Sequence, residues 1–487
     1  MKIKEIFRGL RIRLEPGLKD IEITSIETDS NKVKKGSLFI ALKGLRHNGH
    51  NFVGSAFKNG AAAVLIARDK YRDLDDKRLI RAGDTRRALS VTANNFYRFP
   101  SKKIKIIGIT GTNGKTTTSL LIESIFNIAG APCGVIGTIS YRTGKDHFAA
   151  SHTTPDPVLI NSLLRRMSDS GLKTAVMEVS SHALDQERVA GLLFDTAIFT
   201  NLTHEHLDYH GDLEHYFQSK AKLFSSVKKS GLCIINSDDP WSGRLMRNLK
   251  GRPVMTYGLK KKADIKAVIR ELSVDGSRFL IKTKDGAKIT LKTKLIGLHN
   301  IYNILAAVSA GISHKIDLEE IKRGIEEIGS IPGRLEPVRA GQKFKILVDY
   351  AHTQNALENV LRFLKAVKKG RIITVFGCGG DRDKTKRPLM GKVAQRLSDI
   401  LIITNDNPRT EDPAMIIRDI KRGIDKEKKN YFIIPDRRRA IKKALGRAEE
   451  ADIVLIAGKG HEKYQLVAES KIPFDDRKVA ILALRRL

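Results

Sequence analysis

The sequence predicts an α/β protein of three domains, and three observations lead to this. The chain has 487 residues, about three times the ordinary domain length of roughly 150 residues. Short apolar runs alternate with helical stretches in residues 102–332 and again in 333–487, as in parallel sheets with crossover helices. Many of these runs end directly in glycine or polar turns, which mark the strand ends where open α/β sheets bind ligands. The predicted domains are residues 1–101, 102–332 and 333–487.

The composition excludes several classes of protein. Hydrophobic residues make up 41% and charged residues 29% of the chain, which is typical of soluble globular proteins and not of disordered or fibrous ones. No stretch approaches the roughly 18 to 20 apolar residues of a membrane span, and the first residues lack the apolar core of a signal peptide. We therefore expect a cytoplasmic protein. The three cysteines form no CxxC pair, so neither a disulfide framework nor a thiolate zinc site is expected.

The net charge is extreme. The chain has 88 Lys and Arg against 54 Asp and Glu, a formal charge of +34. A basic nucleic-acid-binding ATPase is therefore one alternative. The basic residues are spread over the whole length, however, and only 6% of residues are aromatic, so platforms for base stacking are few. We favour a generally basic surface, whose field would attract anionic substrates.

The first domain is predicted to be a small α/β unit. Strand-like runs occupy residues 21–30, 36–44 and 61–67, and a helical segment runs from about Val53 to Asn59. The turn-like residues 98–103 close the domain.

The second domain opens with a phosphate-binding motif. An apolar strand, residues 104–110, leads into GTNGKTTT, residues 111–118, and then into a helix with an apolar face. Glycines let backbone N–H groups approach phosphates, Lys115 adds a positive charge and Thr116 offers a hydroxyl to Mg²⁺. The spacing departs from the general P-loop pattern, because Ile109 stands five positions before Gly114.

Two further motifs in this domain follow predicted strands. In MEVSSHAL, residues 177–184, the carboxylate of Glu178 can reach a nucleotide-bound Mg²⁺. The string TNLTHEHLDYHG, residues 200–211, nearly matches the close histidines of zinc hydrolases, which keeps that class as an alternative. We disfavour it because the last histidine is misplaced by one position and a zinc hydrolase has no use for the phosphate loop. The side chains concerned are His204, His206, Asp208 and His210.

The third domain repeats the strand-and-turn pattern. Predicted strands lie within residues 344–352, 371–380, 399–408 and 451–461. Each is an apolar run that enters a polar or glycine turn, so ligand-binding groups are expected at one edge of this sheet.

Ten motifs in order carry a resemblance to the Mur ligase family, and they span almost the whole chain. They are GTNGKTTT, MEVSSHAL, TNLTHEHLDYHG, HYFQSKAKLF, GLHNIYN, PGRLE, DYAHT, FGCGGDRDKTKRPLMG, DNPRTEDP and GKGHEKYQ. The resemblance implies an N-terminal uridine-nucleotide-binding α/β domain, a central P-loop ATPase domain with a mostly parallel sheet, and a C-terminal Rossmann-like domain that binds an amino acid.

The resemblance also implies an activity. Family members phosphorylate a carboxylate with ATP, and an amine then attacks the acyl phosphate. The closest motif match is to the branch that adds meso-diaminopimelate to UDP-N-acetylmuramoyl-L-alanyl-D-glutamate in peptidoglycan precursor synthesis, as a cytoplasmic monomer with Mg²⁺. A lysine-adding relative and a folylpolyglutamate synthetase-like ligase remain as alternatives within the superfamily; DNPR and the full N-terminal domain disfavour the latter.

By motif match, the resemblance assigns the ATP and metal residues. Lys115, Glu178, His206 and Lys220 would be catalytic, with Lys220 carbamylated to an anionic ligand; together with Thr116, the last three would hold Mg²⁺. The residues implied for ATP are Gly111, Thr112, Asn113, Gly114, Lys115, Thr116, Thr117, Asn300, Arg334, Asp349 and His352.

The resemblance assigns the two other substrates as well. Arg409 of DNPR would bind the distal carboxylate of diaminopimelate, and Asp406 and Asn407 its distal ammonium. The full set for this amino acid is Arg382, Asp406, Asn407, Pro408, Arg409, Gly458 and Glu462. The set for the UDP-muramoyl-dipeptide is Thr28, Ser30, Thr153, Thr154, Ser180, Gln186 and Arg188. Two residues depart from the family pattern: His152, where Asn is expected, and Gln354, where Pro is usual.

Overall fold

A computed structural model of the chain describes residues 1–44, 47–69, 76–249 and 251–485. Within these ranges the strands form three large sheets and one two-stranded hairpin. Each large sheet lies inside one of the three predicted segments, which agrees with the predicted α/β fold; the boundaries near residues 101 and 332 themselves stay predictions. No helix in the described ranges is long and apolar enough to cross a membrane.

The first sheet has four parallel strands in sequence order. The three predicted strands and the predicted helix are confirmed, and a fourth strand was missed. Phe39 and Val64 pack on one face, and Leu38 and Leu65 on the other, so alternate residues bury both faces. The elements are β1 (Ser25–Glu27), β2 (Ser37–Ile40), β3 (Ala63–Ala67) and β4 (Leu79–Ala82), with α1 (Ile3–Ile6), α2 (Val53–Lys58), α3 (Thr85–Phe96) and short 3₁₀ helices at Pro16–Leu18, Ser30–Lys32, Gly49–Phe52 and Pro100–Lys102.

The central sheet has eleven strands in the order β15-β14-β13-β12-β11-β10-β5-β9-β6-β7-β8. Its middle is parallel from β13 to β6, as predicted. Antiparallel strands extend both edges, which was not predicted. The strands are β5 (Lys105–Thr110), β6 (Cys133–Ile136), β7 (Ser140–Arg142), β8 (His147–Ala149), β9 (Thr174–Glu178), β10 (Phe194–Phe199), β11 (Val227–Asn236), β12 (Val254–Gly258), β13 (Ile265–Ser273), β14 (Gly276–Thr283) and β15 (Lys288–Thr293).

Helices cover both faces of the central sheet. Ile107 of β5 packs with Ile125 and Ile304 on one face, whereas Ile106 packs with Leu164 and Phe217 on the other. This division explains the uninterrupted apolar run of β5, because a central parallel strand is buried on both sides. The helices are α4 (Lys115–Ile128), α5 (Pro157–Asp169), α6 (Ser181–Asp185), α7 (Leu207–His210), α8 (Leu213–Ser225), α9 (Ser242–Arg247), α10 (Leu298–Ser313) and α11 (Leu318–Glu327).

The third sheet has the order β16-β17-β21-β18-β19-β20 and is parallel except for β16. All four predicted strands are confirmed. The strands are β16 (Glu336–Val338), β17 (Lys345–Asp349), β18 (Ile372–Phe376), β19 (Ile400–Ile403), β20 (Tyr431–Ile433) and β21 (Ile453–Ala457), followed by the hairpin β22 (Tyr464–Val467) and β23 (Ser470–Pro473). The helices are α12 (Gln354–Val367), α13 (Lys386–Leu397), α14 (Pro413–Lys421), α15 (Arg437–Leu445) and α16 (Asp476–Leu484).

Candidate active site

The loop between β5 and α4 can be formed only with glycine at two positions. Gly111 and Gly114 have φ angles of +150° and +89°. A Cβ atom on Gly111 would lie 1.9 Å from Thr200 Oγ1, and one on Gly114 would lie 2.2 Å from Asn303 Oδ1. Any side chain would therefore displace the loop from the end of β10 and from α10.

The end of β10 fixes the shape of this loop. Thr112 N donates to Asn201 O over 2.8 Å, and Asn113 N donates to Asn201 Oδ1 over 2.9 Å. Lys115 Nζ donates to the carbonyl oxygens of Gly111 and Thr112 over 2.7 and 2.9 Å. Burial lowers the pKa of Lys115. Thr116 and Thr117 follow as buried residues of the first turn of α4, so the predicted phosphate residues form one strand–loop–helix unit at a helix N-terminus.

Glu178 forms a buried oxygen cluster at the end of β9. Its side chain accepts from Thr116 Oγ1 over 2.9 Å, from Thr138 N over 2.9 Å and from Thr138 Oγ1 over 3.0 Å. Gly137 makes room for it, since a Cβ atom there would lie 2.4 Å from Glu178 Oε1. Sequence reasoning missed Thr138, although it follows β6, an apolar run that ends in Gly-Thr beside β9.

Two histidines of the string 200–211, His206 and His210, lie beside His182. The ring centroids of His182 and His206 lie 4.8 Å apart, and those of His182 and His210 lie 5.4 Å apart. Burial lowers the pKa of His206 to about 2 and that of His182 to about 4, so both rings are neutral and can act as acceptors at pH 7. In the described part of the chain no group of three or more His, Cys, Asp or Glu side chains could hold a metal ion.

Lys220 of α8 is a buried amine that makes no hydrogen bond to the residues that the structure describes. Only 2% of the residue is exposed, and Nζ lies 4.3 Å from the centroid of the Tyr216 ring. Burial and the charge of Lys115 lower the pKa of Lys220 well below its usual value, and Glu205 opposes them only in part. Its surroundings therefore favour the neutral form of this amine over the charged form.

Five residues predicted for the UDP-muramoyl-dipeptide meet around Glu178. Thr153 Oγ1 lies 3.0 Å from Thr138 Oγ1, and Thr154 Oγ1 donates to Glu178 O over 2.8 Å. The others connect to Thr154: Ser180 N donates to its Oγ1 over 3.0 Å, Arg188 Nη1 donates to its carbonyl oxygen over 2.8 Å, and Arg188 Nη2 donates to Gln186 Oε1 over 2.7 Å.

The other two predicted residues for this substrate lie apart from the five. Thr28 and Ser30 follow β1 in the first domain. In the described ranges no hydrogen bond or ion pair joins either of them to the central domain. The first domain is attached instead through α3, where Asn94 Nδ2 donates to Gly191 O over 2.7 Å and Arg87 pairs with Glu187 at 3.4 Å.

The two residues that depart from the family pattern, His152 and Gln354, stand where the usual asparagine and proline would also fit. Tyr141 OH donates to His152 O over 2.6 Å and accepts from His152 N over 3.1 Å, contacts that an asparagine would make equally. Gln354 is the first residue of α12, after the N-cap Thr353. Proline suits that position because its N–H has no helical partner, and glutamine fits there too.

The second and third domains meet at Glu205. Its Oε1 atom lies 3.8 Å from His206 Nε2 and 3.6 Å from His352 Nε2, which belongs to the third domain. His352 Nδ1 lies 2.8 Å from Tyr350 O, and the guanidinium of Arg334 lies 4.9 Å from the centroid of the Tyr350 ring. These contacts bring two predicted ATP residues of the junction next to the central site.

The last two predicted ATP residues, Asp349 and Asn300, make buried hydrogen bonds near this junction. Asp349 is buried, and its carboxylate accepts from Leu335 N over 2.7 Å and from Ala351 N over 2.8 Å. Asn300 Oδ1 accepts from Asn303 Nδ2 over 3.0 Å, which connects it to the phosphate loop through the contact between Asn303 and Gly114.

The carboxyl ends of β19 and β21 form a buried polar pocket. Asn407 Nδ2 donates to Glu462 Oε2 over 2.7 Å, and the fully buried Lys459 donates from Nζ to Asn407 Oδ1 over 2.9 Å. Gly458 leaves room for Asp406, since a Cβ atom there would lie 2.5 Å from Asp406 Oδ2. Sequence reasoning missed Lys459 although GKGHEKYQ contains it.

Two guanidinium groups lie beside this pocket. Arg409 adopts φ of +54° and donates from Nη1 to Gly380 O over 2.7 Å. Its backbone pairs with the β22–β23 hairpin, because Arg409 N donates to Leu466 O over 3.0 Å. Burial lowers the pKa of Arg382, and the neighbouring charge of Arg409 lowers it further. Pro408 precedes Arg409 at the edge of a cavity of about 340 Å³ behind the motif.

Comparison with known families covers most of the chain. Residues 22–97 match the model described as Mur ligase family, catalytic domain. Residues 109–311 match the Mur ligase middle domain, and residues 333–460 match the Mur ligase, glutamate ligase domain.

Individual relatives match over nearly the full length. A UDP-N-acetylmuramoyl-L-alanyl-D-glutamate--2,6-diaminopimelate ligase of Syntrophomonas wolfei is 45% identical over 100% of this chain and 99% of its own. One of Geobacter sulfurreducens is 46% identical over 95% of each chain. A solved structure of a ligase with the same name shares 33% identity, covers 100% of this chain and 99% of its own, and has a TM-score of 0.70. With its motifs, its fold and its relatives in agreement over the full length, the chain belongs to the Mur ligase family.

Proposed function

We propose that this protein joins meso-diaminopimelate to the D-glutamate carboxylate of UDP-N-acetylmuramoyl-L-alanyl-D-glutamate, with ATP, in peptidoglycan precursor synthesis. One observation carries the proposal: carboxylates of the central domain link the phosphate loop to the third domain. Glu205 acts on the charge of Lys115 and lies 3.6 Å from His352 Nε2 of the third domain, and Asp208 acts on the charge of Arg382 in the predicted diaminopimelate site. A ligase that couples ATP use to amide formation needs those two sites to face each other.

The first step activates the carboxylate. A carboxylate oxygen of D-glutamate attacks the γ-phosphorus of ATP, and the bond from that phosphorus to the β-phosphate oxygen breaks. ADP is the leaving group, and the substrate becomes an acyl phosphate. Phosphoryl transfer depends chiefly on positioning and charge neutralisation. The loop amides at the start of α4 and Lys115 would hold the phosphates, with Asn300, Arg334, Asp349 and His352 assigned to the rest of ATP or its support.

A Mg²⁺ ion fits the cluster at Glu178. The carboxylate and the hydroxyl of Thr116 are hard oxygen ligands, as Mg²⁺ prefers, and the neutral ring of His206 has a free lone pair. When bound, the ion would neutralise negative charge on the phosphates. The lowered pKa of Lys220 favours its neutral amine form, which can add to CO₂ and lose a proton. The carbamate so formed would complete the anionic ligand set.

The second step forms the amide. The amine of diaminopimelate attacks the acyl carbon, inorganic phosphate leaves, and the nitrogen loses a proton. The pocket of Arg382, Asp406, Asn407, Pro408, Arg409, Gly458 and Glu462 would hold the far end of the amino acid so that the reacting amine reaches the junction.

We assign the remaining substrate groups to two regions. Thr28 and Ser30 would contact the uridine part in the first domain. The cluster of Thr153, Thr154, Ser180, Gln186 and Arg188 would contact the muramoyl-dipeptide next to Glu178. Because ATP and the UDP-muramoyl-dipeptide are cytoplasmic nucleotides, we assign the enzyme to the cytoplasm. We also propose that it acts as a monomer.

Phosphate release by the purified protein tests the function. With ATP, Mg²⁺ and the UDP-muramoyl-dipeptide, meso-diaminopimelate should release phosphate and give a product heavier by one diaminopimelate residue, whereas lysine should serve poorly. A preference for lysine would assign the protein to the lysine-adding activity instead. No amide product with either amino acid would reject the function.

A Glu178→Gln variant tests the metal role. We expect the Mg²⁺ concentration for half-maximal activity to rise about tenfold or more, because an amide oxygen replaces a carboxylate as ligand. The melting temperature should change little, since the amide oxygen of glutamine can still accept from Thr138 N and its amide N–H groups can donate to the hydroxyls of Thr116 and Thr138. Glu327→Gln, at the exposed end of α11, is the control. Unchanged activity at limiting Mg²⁺ would remove Glu178 from the metal site.

A further inference from the structure

Both lone pairs of the side-chain oxygen of Asn407 accept hydrogen bonds from the protein itself. Oδ1 accepts from Lys459 Nζ over 2.9 Å and from Leu466 N over 2.9 Å. An amide oxygen has two lone pairs, and both of these donors are N–H groups that cannot accept. The orientation of the amide is therefore fixed: the oxygen faces Lys459, and the nitrogen faces the pocket.

The nitrogen of the same amide has one hydrogen to spare. Nδ2 uses one N–H on Glu462 Oε2, at 2.7 Å, and has no second acceptor in the described part of the chain. The remaining hydrogen of Asn407 can only donate, so a ligand group that meets it must be an acceptor, whereas the sequence suggested that Asn407 binds an ammonium.

Lys459 also lies close to two carboxylates of the pocket. Its Nζ lies 3.2 Å from Glu462 Oε2 and 4.0 Å from Asp406 Oδ1. The buried pair of Arg437 and Asp476 lies close by and acts on the same carboxylates, so two buried cations stand against three carboxylates. The remaining negative charge and the other oxygen of Glu462 suit a ligand ammonium, while the Asn407 N–H and the nearby Arg409 suit a ligand carboxylate.

We infer that Lys459 is a positioning residue: it holds Asn407 as a donor to the distal carboxylate of the amino-acid substrate and leaves Asp406 and Glu462 to its distal ammonium. The inference rests on the proposed function, because it requires a substrate with both groups at its far end. Lys459 itself contacts no substrate atom.

Two variants test this division of roles. Lys459→Met removes the donor that orients the amide and keeps the length of the side chain. Asn407→Asp keeps acceptor oxygens for Lys459 and Leu466 but replaces the Nδ2 group, with both the N–H bound to Glu462 and the remaining N–H, by an oxygen. Lys463→Met removes an exposed charge four residues away and is the matched control. Three ligands separate the contacts: meso-diaminopimelate, lysine without the distal carboxylate, and 2-aminopimelate without the distal ammonium.

In both variants we expect the KM for meso-diaminopimelate and the inhibition constant of 2-aminopimelate to rise about tenfold or more. The inhibition constant of lysine and the KM for ATP should change less than about threefold, and Lys463→Met should behave as wild type. If Asn407 accepts the ammonium instead, Asn407→Asp will bind diaminopimelate as tightly as wild type or more tightly, and the inference is wrong.

The controls keep other failures distinct. If Lys459 only supports the fold, Lys459→Met will weaken all three ligands equally, and this too overturns the inference. If that variant does not fold, Asn407→Asp decides alone. A wild type that prefers lysine would defeat the proposed function; a wild type that uses diaminopimelate, with an unchanged KM in both variants, would defeat only the role of Lys459.

Discussion

A Lys220→Ala variant is expected to lose ligation almost completely, by about a hundredfold or more in kcat. The reason is the state of the amine: it is buried, makes no hydrogen bond in the described ranges, and has a pKa lowered well below its usual value. A lowered pKa favours the neutral form of the amine, which is the form that is nucleophilic toward CO₂. Without the carbamate, the positive charge of the phosphate region would lack one of its anionic partners.

Measurements beyond activity separate this role from a structural one. Lys222→Ala, two residues along α8, removes an exposed lysine whose side chain pairs with Asp185 at 3.6 Å, and it should retain activity. Added short-chain carboxylates should partly restore Lys220→Ala by occupying the space of the lost anion. Full activity of Lys220→Ala, or an unmodified Lys220 in an active enzyme crystal, would contradict the proposal.

An Arg409→Ala variant should reduce kcat/KM for meso-diaminopimelate by about thirtyfold or more, since loss of one partner of a buried charge-assisted pair costs roughly 2 to 5 kcal/mol. The bond from Nη1 to Gly380 O, at 2.7 Å, aims the guanidinium and leaves its other nitrogens without an acceptor in the described part of the chain. A planar carboxylate can take that place.

The effect of Arg409→Ala should be confined to the amino acid. The KM values for ATP and the UDP-muramoyl-dipeptide should stay unchanged, and the preference for diaminopimelate over lysine should shrink by the same factor. Arg409→Lys keeps the charge without the planar fork, so it should recover only part of the loss. A decrease of less than about threefold would show that Arg409 does not bind the distal carboxylate.

The parallel strand β4 was missed, but central parallel strands such as β5, β18 and β21 were readable from the sequence, because each is buried on both faces and ends in a distinctive turn. The antiparallel strands at the edges could not be predicted, because they alternate polar and apolar residues, and such alternation also occurs in other amphipathic segments. A signal was present: Asp275-Gly276 and Asp285-Gly286 stand at the two turns of β13–β14–β15, and Asp-Gly is a typical hairpin sequence.

The candidate site likewise contains residues that could be predicted from the sequence and residues that could not. Residues such as Lys115, Glu178 and Arg409 stand in motifs at strand ends, so their neighbourhood could be predicted. Thr138 and Lys459 could not be assigned, because their roles come from partners far away in the chain. A lysine is usually solvent-exposed, and only the three-dimensional contacts of Lys459 with Asn407 and Glu462 reveal it as an internal cation.

The contact of Glu205 with both His206 and His352 has a further consequence. An acyl phosphate can react with water as well as with an amine, and water would reach it if the third domain separated from the central one. The same carboxylate lies against a ring of each domain, so such a separation would change its surroundings. For a ligase of the proposed kind, this small interface would govern the coupling ratio, the number of ATP molecules hydrolysed for each amide bond made.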